Sequence, residues 1–203
     1  TKKVGKMGNV FAYPLEDRLY LNLTNQCPNR CVFCIRNNEK GVGYDLWLDR
    51  EPSAEEVLAA AGDVSAYREV VFCGYGEPLI RWEVVVAVAG ALKARYGVKI
   101  RVNTNGLAEA FLKQRILPRL QGLVDTISIS LNAADADTYD RLCHSCLGPE
   151  AYPALLSFIR ESKVYIPRVV VSVVEIPGFD PEPARKLAEE LGVELRIRSY
   201  LQE

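Results

Sequence analysis

Strand-like segments that alternate apolar and polar residues, each followed by helix-like sequence, constrain this chain more than any other feature. Leu19, Leu21 and Leu23 interleave with Tyr20, Asn22 and Thr24. Ile100 and Val102 interleave with Arg101 and Asn103, and Ile127, Ile129 and Leu131 with Ser128, Ser130 and Asn132. Val193, Leu195 and Ile197 alternate with Glu194, Arg196 and Arg198. A period of two marks strands whose two faces meet different surroundings. Two more strands are expected over 69–72 and 168–175. Ser53 with Glu56 reads as a capping box opening one helix, and Gly97 as the stop of another over 82–96. Further helices are expected over about 108–120, from 137 and again to about 161, and over 181–191.

Strands separated by helices imply a parallel sheet with right-handed crossovers. Six such units, with no strand-turn-strand signal, are too few for an eight-stranded barrel. The expected fold class is α/β, a partial (β/α)6 barrel, with a flat doubly wound sheet as the alternative. One domain over residues 1–203 is expected, with 1–8 set aside as a non-native or disordered lead-in. A purely structural barrel fills its interior with branched apolar side chains. Polar residues in phase on four strands predict a wet, ligand-holding cavity instead. The alternative is a sheet with one face in water.

The formal net charge of −1 provides no global footprint for nucleic acid or an anionic membrane. No apolar run is long enough to span a bilayer and no secretory signal opens the chain, so a cytoplasmic location is expected. Six cysteines in that setting point to metal or redox chemistry rather than disulfides. The one histidine, His144, excludes a multi-histidine metal site.

Three of the six thiols fall in Cys27-Pro28-Asn29-Arg30-Cys31-Val32-Phe33-Cys34, directly after the first predicted strand. That is the strand end where βα barrels carry their active sites. Thiolates favour zinc or iron–sulfur clusters. Structural zinc prefers a fourth ligand, usually from a second pair of cysteines. Three clustered thiols suit a cubane with one open iron, with a zinc knuckle as the alternative.

This Cx3Cx2C segment, at the end of the first strand of a βα repeat, resembles the signature of the radical S-adenosylmethionine (SAM) superfamily. The resemblance implies a [4Fe–4S] cluster on Cys27, Cys31 and Cys34, with SAM chelated through its amino and carboxylate groups at the open iron. Phe33 would pack near the adenine. Gly74, Tyr75, Gly76 and Glu77, followed by Pro78, resemble the glycine-glutamate motif that holds the methionine ammonium. Asn103-Thr104-Asn105-Gly106 resembles a turn that makes Asn103 and Asn105 SAM contacts. Ser128, Ser130 and Asn132 would reach the ribose, and the 174–178 stretch would flank adenine. Arg196, with Arg198, would meet a SAM or substrate carboxylate. No catalytic residue of the protein itself is assigned.

By the same resemblance the chain reductively cleaves SAM to a 5′-deoxyadenosyl radical that abstracts hydrogen from a small-molecule substrate. An external donor such as flavodoxin or ferredoxin would supply the electron, and the cluster would be oxygen-sensitive. A partner protein is the substrate in the alternative of a glycyl-radical activating enzyme; a non-enzymatic zinc-binding module is a further alternative. Residues 19–26, the Ile35-Arg36-Asn37 exit and Tyr44-Asp45-Leu46-Trp47-Leu48 resemble the small radical SAM family associated with TatD-type nucleases. Cys143-His144-Ser145-Cys146 is read either as holding buried inert thiols or as supplying a thiol to a radical intermediate, a second metal site or a redox pair; even with Cys73 no auxiliary cluster is expected.

Overall fold

The computed structural model describes residues 9–38 and 41–200, so the lead-in expected at 1–8 lies outside the described residues. One sheet of seven strands runs in sequence order: β1 (Ala12–Leu15), β2 (Arg18–Leu21), β3 (Glu69–Phe72), β4 (Lys99–Thr104), β5 (Thr126–Ser130), β6 (Arg168–Glu175) and β7 (Glu194–Ser199). From β2 onward every neighbouring pair is parallel. A doubly wound sheet reverses its strand order at a switch point. This sheet never reverses, as expected of a partial barrel.

The hairpin of β1 and β2 corrects the expectation of no strand-turn-strand unit. Its turn is Glu16-Asp17, with Glu16 at φ 54°. Tight hairpin turns are normally announced by glycine or asparagine at such positions, and here glutamate occupies one. Arg18 pairs with Glu16 at 3.1 Å and with Asp17 at 3.2 Å beside the turn.

Helices α1 (Ala54–Ala61) and α2 (Trp82–Tyr96) begin and end where local signals place them. Ser53 and Glu56 form the reciprocal capping box, and Gly97 closes α2 at φ 62°. The helix expected over 108–120 is two: α3 (Ala108–Leu112) and α4 (Leu117–Leu120). Lys113 turns left-handed, and the Glu109 carboxylate then accepts the N–H groups of Ile116 and Leu117 at 2.5 and 2.8 Å. Pro118, which has no N–H to give a helix interior, sits in the first turn of α4, where none is needed. Helices α5 (Ala136–Cys143), α6 (Ala151–Tyr165) and α7 (Glu182–Leu191) complete the outer layer.

Leu21, Phe72, Val102, Ile129 and Val173 belong to one buried core with Val88, Leu120, Leu155 and Ala188 of the helices. The opposite strand faces turn inward. At the N-terminal ends of the strands, Glu69 lies between Arg18 at 3.3 Å and Arg101 at 3.5 Å, and Arg101 donates to the Tyr20 hydroxyl at 3.3 Å. This ion-paired floor leaves the C-terminal ends to form the cavity. No helix among the described residues is long and apolar enough to cross a membrane.

Candidate active site

The chain leaves the sheet at Asn22, whose buried amide donates to the carbonyls of Val10 at 3.1 Å and Leu46 at 2.8 Å. The cysteine loop follows. It is splinted by the C-terminal end of α5: Arg30 N–H donates to the Cys143 carbonyl and Val32 N–H to the Leu142 carbonyl, both at 2.9 Å. Cys146 N–H returns a bond to the Pro28 carbonyl at 2.8 Å, and the Asn29 amide donates to the Tyr139 hydroxyl at 3.0 Å. Helix ends carry carbonyls without intrahelical partners. Here the loop's N–H groups supply those partners, so the loop has a template before any metal arrives.

Arg36 ties the other side of the loop. Its Nε donates to Cys34 Sγ at 3.4 Å, while its two terminal nitrogens donate to the carbonyls of Asn25 at 3.3 Å and Asn29 at 3.4 Å. The guanidinium also lies 5.8 Å from the centre of the Trp47 ring. Burial pushes the Cys27 thiol up to about 12. A hydrogen bond with the buried Cys143, together with burial, raises Cys31. These thiols are protonated at neutral pH, so a metal must displace protons to bind them.

The Gly74-Tyr75-Gly76-Glu77 turn after β3 docks on the exit from β2. A Cβ on Gly74 would stand 2.0 Å from Asn22 Oδ1, and one on Gly76 would stand 2.3 Å from the Thr24 carbonyl oxygen and 2.6 Å from that of Gln26. Both glycines are therefore demanded by the approach of the protein's own chain. Glu77 is buried, and both its oxygens are engaged. Oε1 accepts from Leu79 N–H at 3.0 Å and the Thr104 hydroxyl at 2.7 Å; Oε2 accepts from Asn105 N–H at 2.7 Å. Burial raises its carboxyl to about 7, against the lowering effect of those three donors. The Asn105 amide donates onward to Cys27 Sγ at 3.5 Å.

Cys27, Cys31 and Cys34 line one cavity of about 680 Å³, together with Phe33, Gly74, Tyr75, Gly76, Glu77, Asn103, Asn105, Ser128, Ser130, Asn132 and Arg196. Every candidate contact outside the 174–178 stretch thus reaches the same space. Of the 174–178 stretch only Val174 does so. Ser172, which carried no sequence motif, also lines the cavity, as does Thr104, which lay within the Asn103–Gly106 turn but was not assigned a contact. Arg36 was visible only as part of the loop's exit; its contacts depend on how the loop folds back. The other thiols divide by position: Cys143 is buried beside Cys31, Cys73 lines the cavity, and Cys146 is exposed.

Three buried acceptors on the cavity wall, Asn29 Oδ1, Asn103 Oδ1 and Asn132 Oδ1, have no partner among the described residues. Buried polar groups are normally satisfied, so these fit a ligand with donors of its own. A cubane in which each sulfur holds its own iron takes three thiolates from the protein, the number that this loop brings to the cavity.

Among curated proteins, the chain is 29% identical over 167 residues to the GTP 3′,8-cyclase of Lactiplantibacillus plantarum, covering 81% of this chain and 47% of that protein. It is 27% identical over 199 residues to the probable dual-specificity RNA methyltransferase RlmN of Trichodesmium erythraeum, covering 92% and 54%. It therefore spans about half the length of these relatives. The crystal structure of a radical SAM methyltransferase from Sphaerobacter thermophilus superposes with a TM-score of 0.64 at 23% identity, over 93% of this chain and 57% of that one, which shows a shared fold. The family model for the radical SAM superfamily matches residues 21–191, and with most of its length so matched this chain belongs to the radical SAM superfamily.

Proposed function

We propose that this chain is a single catalytic domain that holds a [4Fe–4S] cluster on Cys27, Cys31 and Cys34 and SAM in the adjoining cavity, and that it acts on a small molecule. The superfamily's cofactors are that cluster and SAM. The observation that carries the reading is convergence: three thiols of one loop and the turns after β3 and β4 share a single cavity with three orphaned buried acceptors. Its volume of about 680 Å³ lies in the range of small-molecule sites.

When bound and reduced, the cluster supplies the electron that splits SAM into methionine and a 5′-deoxyadenosyl radical. The protein's part is placement and shielding. The α5 end and Arg36 hold the cysteine loop from its two sides. Glu77, in the cavity wall with both oxygens turned to protein donors, fixes the Gly74–Gly76 turn against the β2 exit and places the Asn105 backbone. The turn, rather than the Glu77 carboxylate, is then what meets the methionine ammonium. Ser128, Ser130 and Asn132 present hydroxyls and an amide to the ribose. Radical SAM enzymes need an external reductant, and a flavodoxin or ferredoxin is the donor class proposed.

The test is chromatography of nucleosides from anaerobically reconstituted protein. With dithionite and SAM, 5′-deoxyadenosine and methionine should accumulate; without reductant they should not. The variant with Cys27, Cys31 and Cys34 all changed to Ala should lose both iron and product. A cluster-loaded, SAM-binding protein that yields no reductant-dependent 5′-deoxyadenosine, even with candidate substrates present, would refute the proposal.

A further inference from the structure

We infer that the cavity wall formed by β7 is a binding site for an anionic group of the substrate, a carboxylate or phosphate, with Arg196 and Arg198 as its cations. The inference rests on the radical SAM reading above and adds the substrate's chemistry to it.

The inner face of the sheet shows what its arginines ordinarily do. Arg18 and Arg101 share Glu69 on the floor, and Arg168, at the start of β6, pairs with Glu194, at the start of β7, at 2.7 Å. Each inward cation near the N-terminal strand ends thus has a carboxylate. Arg196 and Arg198, farther along β7 beside Ser172 and Val174, have no ion pair or hydrogen bond among the described residues. The Nε groups of Arg18 and Arg101 are also buried without a hydrogen-bond acceptor, but those two have the Glu69 carboxylate at 3.3 and 3.5 Å; the Nε of Arg198 is buried without either. A donor buried in that state costs stability. A ligand that brings the acceptor removes that cost.

The charge around the cavity points the same way. Its charged lining residues among those described are Glu77, Arg196 and Arg198. Glu77 has both oxygens turned to protein donors, so it neutralises neither arginine. What remains is a cationic wall with the Ser172 side chain beside it. A guanidinium presents paired donors that match the two oxygens of a carboxylate or phosphate, which a single ammonium does not.

SAM carries a carboxylate of its own, so the two sources must be separated. Arg198 sits within electrostatic reach of the Cys31 thiol across the cavity, so occupancy of the cluster, and not strand order, separates them. Under the proposed reading the methionine carboxylate is taken up at the cluster, on the loop after β2. The arginines of β7 are then left for the reacting partner.

The experiment uses the anaerobically reconstituted chain and its Arg198→Gln, Arg198→Lys and Arg196→Gln/Arg198→Gln variants, each checked for iron content and circular dichroism. SAM affinity is measured by equilibrium dialysis. Inorganic phosphate and ¹³C-labelled malonate are titrated against SAM-loaded protein by ligand-observed NMR. Wild type should bind at least one probe, and the tighter of the two identifies the class. Arg198→Gln should weaken that probe at least ten-fold and the double variant further, with Arg198→Lys in between and SAM affinity within two-fold of wild type. A ten-fold loss of SAM affinity would overturn the inference by assigning the arginines to the cofactor. Probe binding that is absent from wild type, or unchanged in Arg198→Gln, would overturn it as well. A wild type that fails to bind SAM refutes the underlying reading instead; the probes are then titrated without SAM, and the same two outcomes decide the anion site.

Discussion

Replacing Glu77 by Gln keeps the shape of a buried side chain and removes its ability to ionise. In the folded chain burial lifts this carboxyl from 4.5 to about 7. Between those values the folded protein keeps a proton that the unfolded chain has released. The contribution is therefore fully present below about pH 4.5 and is lost as the pH rises through 7. At 1.36 kcal/mol per pH unit the loss amounts to about 3 kcal/mol, of which roughly 2–3 falls between pH 5 and 8. Gln has no such dependence. It does present an amide N–H₂ where Leu79 N–H, the Thr104 hydroxyl and Asn105 N–H all donate. One buried donor is then left facing another, at a cost of about 1–3 kcal/mol. The variant should be the weaker protein at pH 5, and the gap should close or reverse by pH 8. Urea unfolding of the reduced, metal-free chain, with equal slopes in both proteins, measures this directly. A stability difference that stays constant from pH 5 to 8 would mean that the three donors outweigh burial and that Glu77 is ionised throughout.

Two further substitutions test how the cavity is built. Gly76→Ala drives a methyl group into the carbonyl oxygens of Thr24 and Gln26, which are backbone atoms and cannot swing aside; it should cost about 3 kcal/mol or more and reduce iron loading. Wild-type stability and iron content in that variant would show that the turn does not dock on the β2 exit. Arg36→Gln should speed cluster loss to a chelator by roughly 10–100-fold, as expected when the groups that orient metal ligands are removed. Arg36→Lys keeps the charge but cannot reach Cys34 Sγ and the Asn25 and Asn29 carbonyls together, so it should fall between. Unchanged loss rates in both would reduce Arg36 to a surface cation lying against Trp47.

The glycine-glutamate motif shows how a correct sequence signal can carry more than one physical cause. Its position after β3 and its place on the cavity were both legible. The sequence could not say that Gly74 and Gly76 are needed against Asn22, Thr24 and Gln26, or that Glu77 turns to Asn105 and Thr104, more than twenty residues away. The hairpin was missed because Glu16 takes a left-handed position without the usual glycine. The split between α3 and α4 was missed because it depends on a side chain, Glu109, capping a helix seven residues on.

By itself the sequence determined the βα order, the strands at 69–72 and 168–175, the Ser53 and Gly97 helix ends, and the loop that gathers three thiols. These depend on periodicity and on backbone preferences that act over a few residues. Tertiary structure alone decided that the α5 end splints the cysteine loop, that Arg36 bridges it, and that Arg18 and Arg101 have a carboxylate while Arg198 has none. Each of these depends on which distant groups meet once the sheet curves. Alternation makes a side chain face inward, but only closure of the strands decides whether it finds a partner there or is left for a ligand.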